Sequence, residues 1–249
     1  MRIGLFIPCY INQFYPRAAI ASLELLEKQE IDVQYPLSQT CCGQPMANTG
    51  FEKSARETYR LFVKNFHTYD YIVSPSGSCV YHVRKHFDII EQTEEVVHVR
   101  NKIYELCEFL VKILGVEDLN AEFPFKVGLH QSCHGLRGLH LGKPSEIIDE
   151  GKDNSSIPYK LLSRVKGIQL INLERTDECC GFGGTFSVIE ESVSVKMGTD
   201  RIHDHIKNNA EVITGTDMSC LMHLEGIIKR NNMPVKIKHI AEILNGSAR

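Results

Sequence analysis

Ser38-Gln39-Thr40-Cys41-Cys42-Gly43-Gln44-Pro45 and Glu178-Cys179-Cys180-Gly181-Phe182-Gly183-Gly184-Thr185-Phe186 share a cysteine pair followed by glycine. A single cysteine stands well before each pair and another well after it. The first set is Cys9, Cys41, Cys42 and Cys79; the second is Cys133, Cys179, Cys180 and Cys220. The match continues past the last cysteine, since Cys79-x-x-His82 answers Cys220-x-x-His223. We also align Val96-Val97-His98-Val99, then Ile103 to Leu110, with Val235-Lys236-Ile237-Lys238, then Ile240 to Leu244. A shared order of this length marks a tandem duplication. The turn-like stretch from Gly115 to Phe125, with Pro124, puts the boundary near residue 120. The expected units are residues 1–120 and 121–249.

Each half alternates short apolar runs with amphipathic stretches. The runs expected as strands are Ile3 to Ile7, Ile31 to Tyr35, Tyr71 to Ser74 and Val96 to Val99 in the first half. In the second they are Val127 to His130, Ile168 to Leu173, Val212 to Thr214 and Val235 to Ile237. Helical spacing is expected in Ala18 to Gln29, Glu52 to Phe66, Ser145 to Ile148, Pro158 to Val165, Glu190 to Asn208, Leu221 to Asn231 and His239 to Leu244. Strand–helix alternation predicts an α/β fold. We expect two tandem, related Rossmann-like units with parallel sheets and a pseudo-twofold relation. Every cysteine of the two sets then follows the carboxyl end of a strand. In open α/β sheets that edge is where ligands bind. Parallel strands bring those ends to one side, so four thiols per half can converge.

Composition bounds the chemistry. The 249 residues include 28 Lys plus Arg and 31 Asp plus Glu, for a formal charge of −3. This near-neutral balance gives no footprint for nucleic acid. Apolar residues are 43% and charged residues 24%, ordinary for a soluble globular chain. No apolar run approaches the roughly 20 residues of a membrane span. Only a short apolar stretch precedes Pro8, too little for a signal-peptide core. Nine cysteines in a chain of this size then suggest a reducing cytoplasm with free or metal-bound thiols, not a disulfide framework. Cys107 stands apart. It lies in an apolar stripe of Ile103, Leu106, Leu110, Val111 and Leu114, and is expected in the core.

Four converging thiols suit a structural zinc or an iron–sulfur cluster. Zinc sites usually draw two ligands from a C-x-x-C turn, and the chain has none. Adjacent cysteines diverge, which suits a larger group presenting several metals. The following glycine lets backbone approach it. The run Gly181-Phe182-Gly183-Gly184 lacks G-x-G-x-x-G spacing and so does not read as a dinucleotide loop. His82 and His223 are alternative zinc ligands, or polar groups at the rim of the site. His130 and His134 flank Cys133 without counterparts around Cys9, and carry less weight. Thiol–disulfide chemistry at Cys41-Cys42 or Cys179-Cys180 is disfavoured, because vicinal disulfides are strained.

At these residues the sequence resembles the cysteine-rich CCG domain of iron–sulfur oxidoreductases. That group includes heterodisulfide reductase B subunits and the iron–sulfur subunit of glycolate oxidase. The likeness is greatest to LutA-like lactate utilisation proteins and spans nearly the whole chain. It rests on the two phrases quoted first and on Pro75-Ser76-Gly77-Ser78-Cys79. The resemblance implies one or two 4Fe-4S clusters, on Cys9, Cys41, Cys42 and Cys79 and on Cys133, Cys179, Cys180 and Cys220. It implies electron transport in an oxidoreductase complex that oxidises L-lactate, with a ferredoxin-type iron–sulfur subunit and a third subunit as partners. The substrate of the complex would be a small 2-hydroxy acid, lactate or glycolate. The fuller family motif closes with C-x-x-C. Here Ser76 and Asp217 stand at the first cysteine of that pair, so an ordinary four-thiolate cluster fits better than a non-cubane one. A zinc-stabilised scaffold for partner subunits is the alternative. No catalytic acid or base can be assigned from spacing.

Overall fold

A computed structural model describes residues 1–147 and 155–246. It contains two four-stranded sheets with the same strand order. In the first, β1 (Arg2–Leu5), β2 (Asp32–Gln34), β3 (Tyr71–Ser74) and β4 (Ile103–Glu105) lie in the order β2-β1-β3-β4. In the second, β5 (Lys126–Leu129), β6 (Gln169–Leu170), β7 (Val212–Gly215) and β8 (Lys236–His239) lie in the order β6-β5-β7-β8. Every pairing is parallel. The fold is therefore two tandem Rossmann-like units, as the alternation of apolar runs predicts.

Side chains alternate across each strand, and the two faces of β1 and β5 meet different surroundings. Ile3 and Leu5 of β1, with Val127 and Leu129 of β5, enter one core that draws on both sheets. The helix Pro16–Glu27 closes part of it. Its buried Ala18, Ala21, Ser22, Leu25 and Leu26 form one helical face, and it packs on the second unit's helix Ile240–Leu244. On the opposite face of β1, Phe6 joins an aromatic cluster with Tyr59, Phe62, Phe66 and Phe87.

One expectation fails. Val96 to Val99 is not a strand but part of the helix Glu94–Lys102. Thr93 caps it by accepting from Val96 N, with Glu94 and Glu95 in the first turn and Arg100 and Lys102 in the last. These charges suit the helix dipole, and only Val96 and Val99, three residues apart, are buried. The fourth strand is instead Ile103–Glu105, from which the helix Leu106–Lys112 follows directly. This strand–helix pair is the true counterpart of β8 and Ile240–Leu244. Both helices are capped by the residue that ends the strand: Glu105 accepts from Glu108 N at 3.0 Å, and His239 Nδ1 from Ala241 N at 3.2 Å. Two smaller departures follow. The strand expected over Ile168 to Leu173 is only Gln169–Leu170. The helix expected at Ser145 to Ile148 is a 3-10 turn over Ser145–Ile147, with Ile148 outside the described residues. Cys107 is fully buried in the shared core, as its stripe predicts.

The two units meet at the starts of equivalent helices, Gly77–His86 and Met218–Asn231. Ser76 and Asp217 form an isolated antiparallel bridge. Gly77 N donates to Thr216 O at 3.2 Å. The buried Asp217 carboxylate accepts from Ser78 N at 2.7 Å, Ser78 Oγ at 3.1 Å and Ser219 Oγ at 2.9 Å. The positions where the sequence lacks a fifth cysteine thus hold the units together.

Candidate metal centre

All eight cysteines of the two sets line one cavity of about 580 Å³. Cys9 opens the helix Cys9–Phe14 after β1. Cys41 and Cys42 sit in the loop after β2, ahead of the helix Gln44–Asn48. Cys79 is in the first turn after β3. In the second unit Cys133 follows β5, Cys179 and Cys180 lie in the loop after β6, and Cys220 is in the first turn after β7. The cavity lies between the units, where the rings of Tyr10 and Phe182 meet edge to face at 6.2 Å. Pro8, Asn48, Ser78, Thr185 and Ser219 also line it.

Side chains outside the cysteine sets fix the paired loops. Gln39 Oε1 accepts a hydrogen bond from Ile7 N at 2.8 Å and its Nε2 donates to Leu5 O at 3.0 Å, tying the first loop to the end of β1. Arg201 does this in the second unit. It donates to the carbonyls of Arg175 and Thr176 just before the cysteine pair. Gly43 and Gly181 then turn the chain at φ +88° and +86°. A Cβ there would lie 2.5 Å from the Tyr59 ring or from Ser194 O, so both positions require glycine.

The thiols approach one another closely. Sγ of Cys9 lies 4.0 Å from that of Cys41, and Sγ of Cys42 lies 3.3 Å from that of Cys79. Backbone N–H groups also point at sulfur: Gly43 N on Cys41 at 3.3 Å, Gly181 N on Cys179 at 3.4 Å, and Phe182 N on Cys180 at 3.5 Å. Cys41 is held far below the usual thiol range by hydrogen bonds from Cys42 and Cys9. Cys179 is lowered likewise by Cys133 and Cys180. The neighbours move the other way: Cys9 and Cys42 rise through their bonds to Cys41, and Cys133 and Cys180 through theirs to Cys179. In both sets, then, the neighbouring thiols direct their hydrogen bonds at the first cysteine of the pair. Four thiols with N–H donors are a donor set suited to a thiophilic metal or a cluster.

The histidines depart from expectation. Neither His82 nor His223 lines the cavity. His82 is buried against the aromatic cluster, its Nε2 3.0 Å from Tyr59 Oη and its ring stacked on His86 at 4.8 Å. Burial pushes it down to about 3. His223 Nε2 lies 3.3 Å from Ser194 O, with Phe182 against its ring. His134 lines the cavity beside Cys133, and His130 has a ring nitrogen within 4.8 Å of the Sγ atoms of Cys180 and Cys220. The readable signal was the repeat itself: His130 occupies the place of Phe6, three residues before each leading cysteine.

The cavity lining carries His134 as well as the cysteines. Among the described residues it includes Asp217 and the eight cysteines but no Lys or Arg. A second cavity of about 810 Å³, lined by Phe14, Phe123, Phe125 and Lys236 among others, contains none of the cysteines, so the chemistry belongs to the smaller one. No described helix is long and apolar enough to cross a membrane.

A family model for the cysteine-rich domain CCG matches residues 3–84 and 127–225, one stretch for each sheet. Lactate utilization protein A 1 of Bacillus mycoides is 36% identical, across 98% of this chain and 97% of that protein. Lactate utilization protein A of a Geobacillus species is 38% identical, across 98% of this chain and 99% of that protein. The crystal structure of a hypothetical protein from Helicobacter pylori matches with a TM-score of 0.58 at 10% sequence identity. It covers 99% of this chain and 49% of the other, a likeness of fold alone.

Proposed function

The chain belongs to the cysteine-rich CCG domain family, and on that premise we propose that it is an iron–sulfur redox subunit of a lactate-utilisation system. The observation that carries this is the gathering of eight cysteines, in two sets of four, around one cavity between the sheets. Cys9, Cys41, Cys42 and Cys79 would hold one cluster, and Cys133, Cys179, Cys180 and Cys220 the other. When bound, such a group supplies one-electron transfer at a potential set by its hydrogen bonds and burial. The relatives named lactate utilization protein A support lactate as the substrate of the whole system.

The chain's own residues divide the labour. Gly43, Gly181 and Phe182 present N–H groups to sulfur, which stabilises thiolate charge. Tyr10 and Phe182 narrow the space between the two sets. The lining holds no Lys or Arg to pair with a carboxylate, and a 2-hydroxy acid anion there would also face Asp217 and the thiols. Oxidation of the acid therefore belongs to a partner subunit, and this chain relays the electrons. A ferredoxin-type iron–sulfur subunit and a third subunit complete the complex in this reading. Val188 lines the cavity, and it and Ile189 are 79% and 75% exposed, an apolar edge for such a partner. The test is anaerobic reconstitution with iron and sulfide, followed by metal and sulfide analysis. We expect about four irons per cysteine set, and no lactate binding by the isolated chain. A colourless protein would defeat the reading.

One observation favours a second reading, a zinc-stabilised scaffold. The Sγ separations of 3.3 and 4.0 Å bracket the edge of about 3.8 Å for a tetrahedron with Zn–S near 2.3 Å. Stoichiometric zinc that iron and sulfide fail to displace would establish it.

A further inference from the structure

His130 follows β5, and its side chain lies on the face opposite the shared core. One ring nitrogen is already committed: Arg201 Nε donates to His130 Nδ1 at 3.2 Å. Arginine has no acceptor, so Nδ1 must be the unprotonated nitrogen and Nε2 must carry the hydrogen. Arg201 is itself fully buried, and is fixed by the Arg175 and Thr176 carbonyls and by Asp204 at 3.3 Å. It cannot turn away to release the ring. Nε2 is buried and has no protein partner, while the ring lies within 4.8 Å of the Cys180 and Cys220 sulfurs. A buried N–H without an acceptor is costly. The atoms that can relieve it are those sulfurs, or a group bound to them.

From this geometry we propose that His130 is a fixed hydrogen-bond donor to the Cys180–Cys220 side of the second site, and that it raises the reduction potential there. The inference rests on the iron–sulfur reading above. His130 is not a ligand, because metal at Nε2 with Arg201 on Nδ1 would need both ring nitrogens deprotonated. At the matching position of the first site stands Phe6, which has no donor and packs on Phe62 at 4.8 Å. Donors to cluster sulfur stabilise the more negative, reduced state. His130 is thus a positioning residue that distinguishes two otherwise equivalent sites.

Two measurements test this on the full chain. In the metal-free protein, ¹⁵N NMR of His130 should show hydrogen on Nε2 and a bare Nδ1; hydrogen on Nδ1 would overturn the proposal. In the reconstituted protein, His130→Phe should keep its iron and lower the potential of one couple by at least tenfold in the reduction equilibrium, about 59 mV for one electron. The other couple, identified by its loss in Cys42→Ser, should stay put. His130→Gln, which restores an N–H, should recover part of the shift. Loss of iron in both His130 variants would make the residue a ligand and sink the donor role. Full iron with neither couple moved would sink it too. A wild-type chain that takes up no iron and sulfide overturns the iron–sulfur reading and this inference together, and does so before any variant is made.

Discussion

Behind the first cysteine set stands a wall of rings, and behind the second a buried polar network. Phe6 meets Phe62 at 4.8 Å and Phe66 at 5.8 Å, both edge to face. The equivalent places in the second unit hold His130, Arg201 and His205, all fully or nearly fully buried. The correspondence is geometric. A Cβ on Gly4 would strike Tyr69 and Phe66, and one on Gly128 would strike His205. The same backbone tolerates either solution, at similar cost. Aromatic pairs add about 0.5–1.5 kcal/mol each beyond burial. A buried ion pair is roughly neutral when complete, and costly when one partner is lost. The difference therefore shows in rigidity, hydrogen bonding to sulfur and response to acid more than in net stability.

The hardest blow to this pairing is a ligand substitution. Cys42→Ser should abolish metal binding in the first site alone, and Cys180→Ser in the second alone, as read by iron per chain. If either variant emptied both sites, the two sets would be one site and the comparison would collapse. Next come the supporting walls. Phe62→Ala should cost about 3–5 kcal/mol in urea unfolding and leave metal content intact. Arg201→Ala should cost a similar 3–5 kcal/mol, and should also weaken metal retention in the second site, because the Arg175–Thr176 carbonyls lose their anchor. Equal retention in both variants would mean that the walls act only on stability.

A gentler probe is pH. Burial holds His205 well below the ordinary 6.5, and its ring nitrogens have no partner. Below pH 6.5 the unfolded chain takes up a proton that the folded chain refuses. Stability therefore falls as pH falls, by about 1.4 kcal/mol per pH unit for each such group. His205→Phe, which installs the first unit's residue, should remove one group's share of that slope below pH 6.5, leaving those of His82, His130 and His239. An unchanged slope would mean that folded His205 takes up its proton as readily as the unfolded chain does. The smallest effect belongs to Cys107→Ser, which places a hydroxyl in the shared core. We expect a loss of about 1 kcal/mol with iron unchanged. A fall in iron would return Cys107 to the ligand sets.

Much of this was legible in the residues. The cysteine order located six strand ends, and short apolar runs identified the strands that lead to them. Val96-Val97-His98-Val99 misled because four residues with three valines look like a strand. The cap at Thr93 and the acidic turn after it outweigh β propensity there. Lysine and arginine at the far end complete the helix. His82 and His223 drew attention through local spacing, yet a helix turn carries both away from the sulfurs. His130 stands near Cys133 in the sequence, but its partner Arg201 comes from a distant helix. The comparison with Phe6 gives it weight, and the fold shows which side of the sheet it faces just past β5.

The bridge between Ser76 and Asp217 has an evolutionary consequence. In a symmetric dimer of one such unit, the residues facing each other across the axis would be identical. Two serines would offer the Ser78 N–H no carboxylate, and two aspartates would set like charges side by side. A serine opposite an aspartate requires two copies that are free to differ, and covalent joining supplies that freedom. Once fused, each half was released from having to match itself. Substitutions such as a histidine where its twin keeps a phenylalanine could then accumulate on one side only.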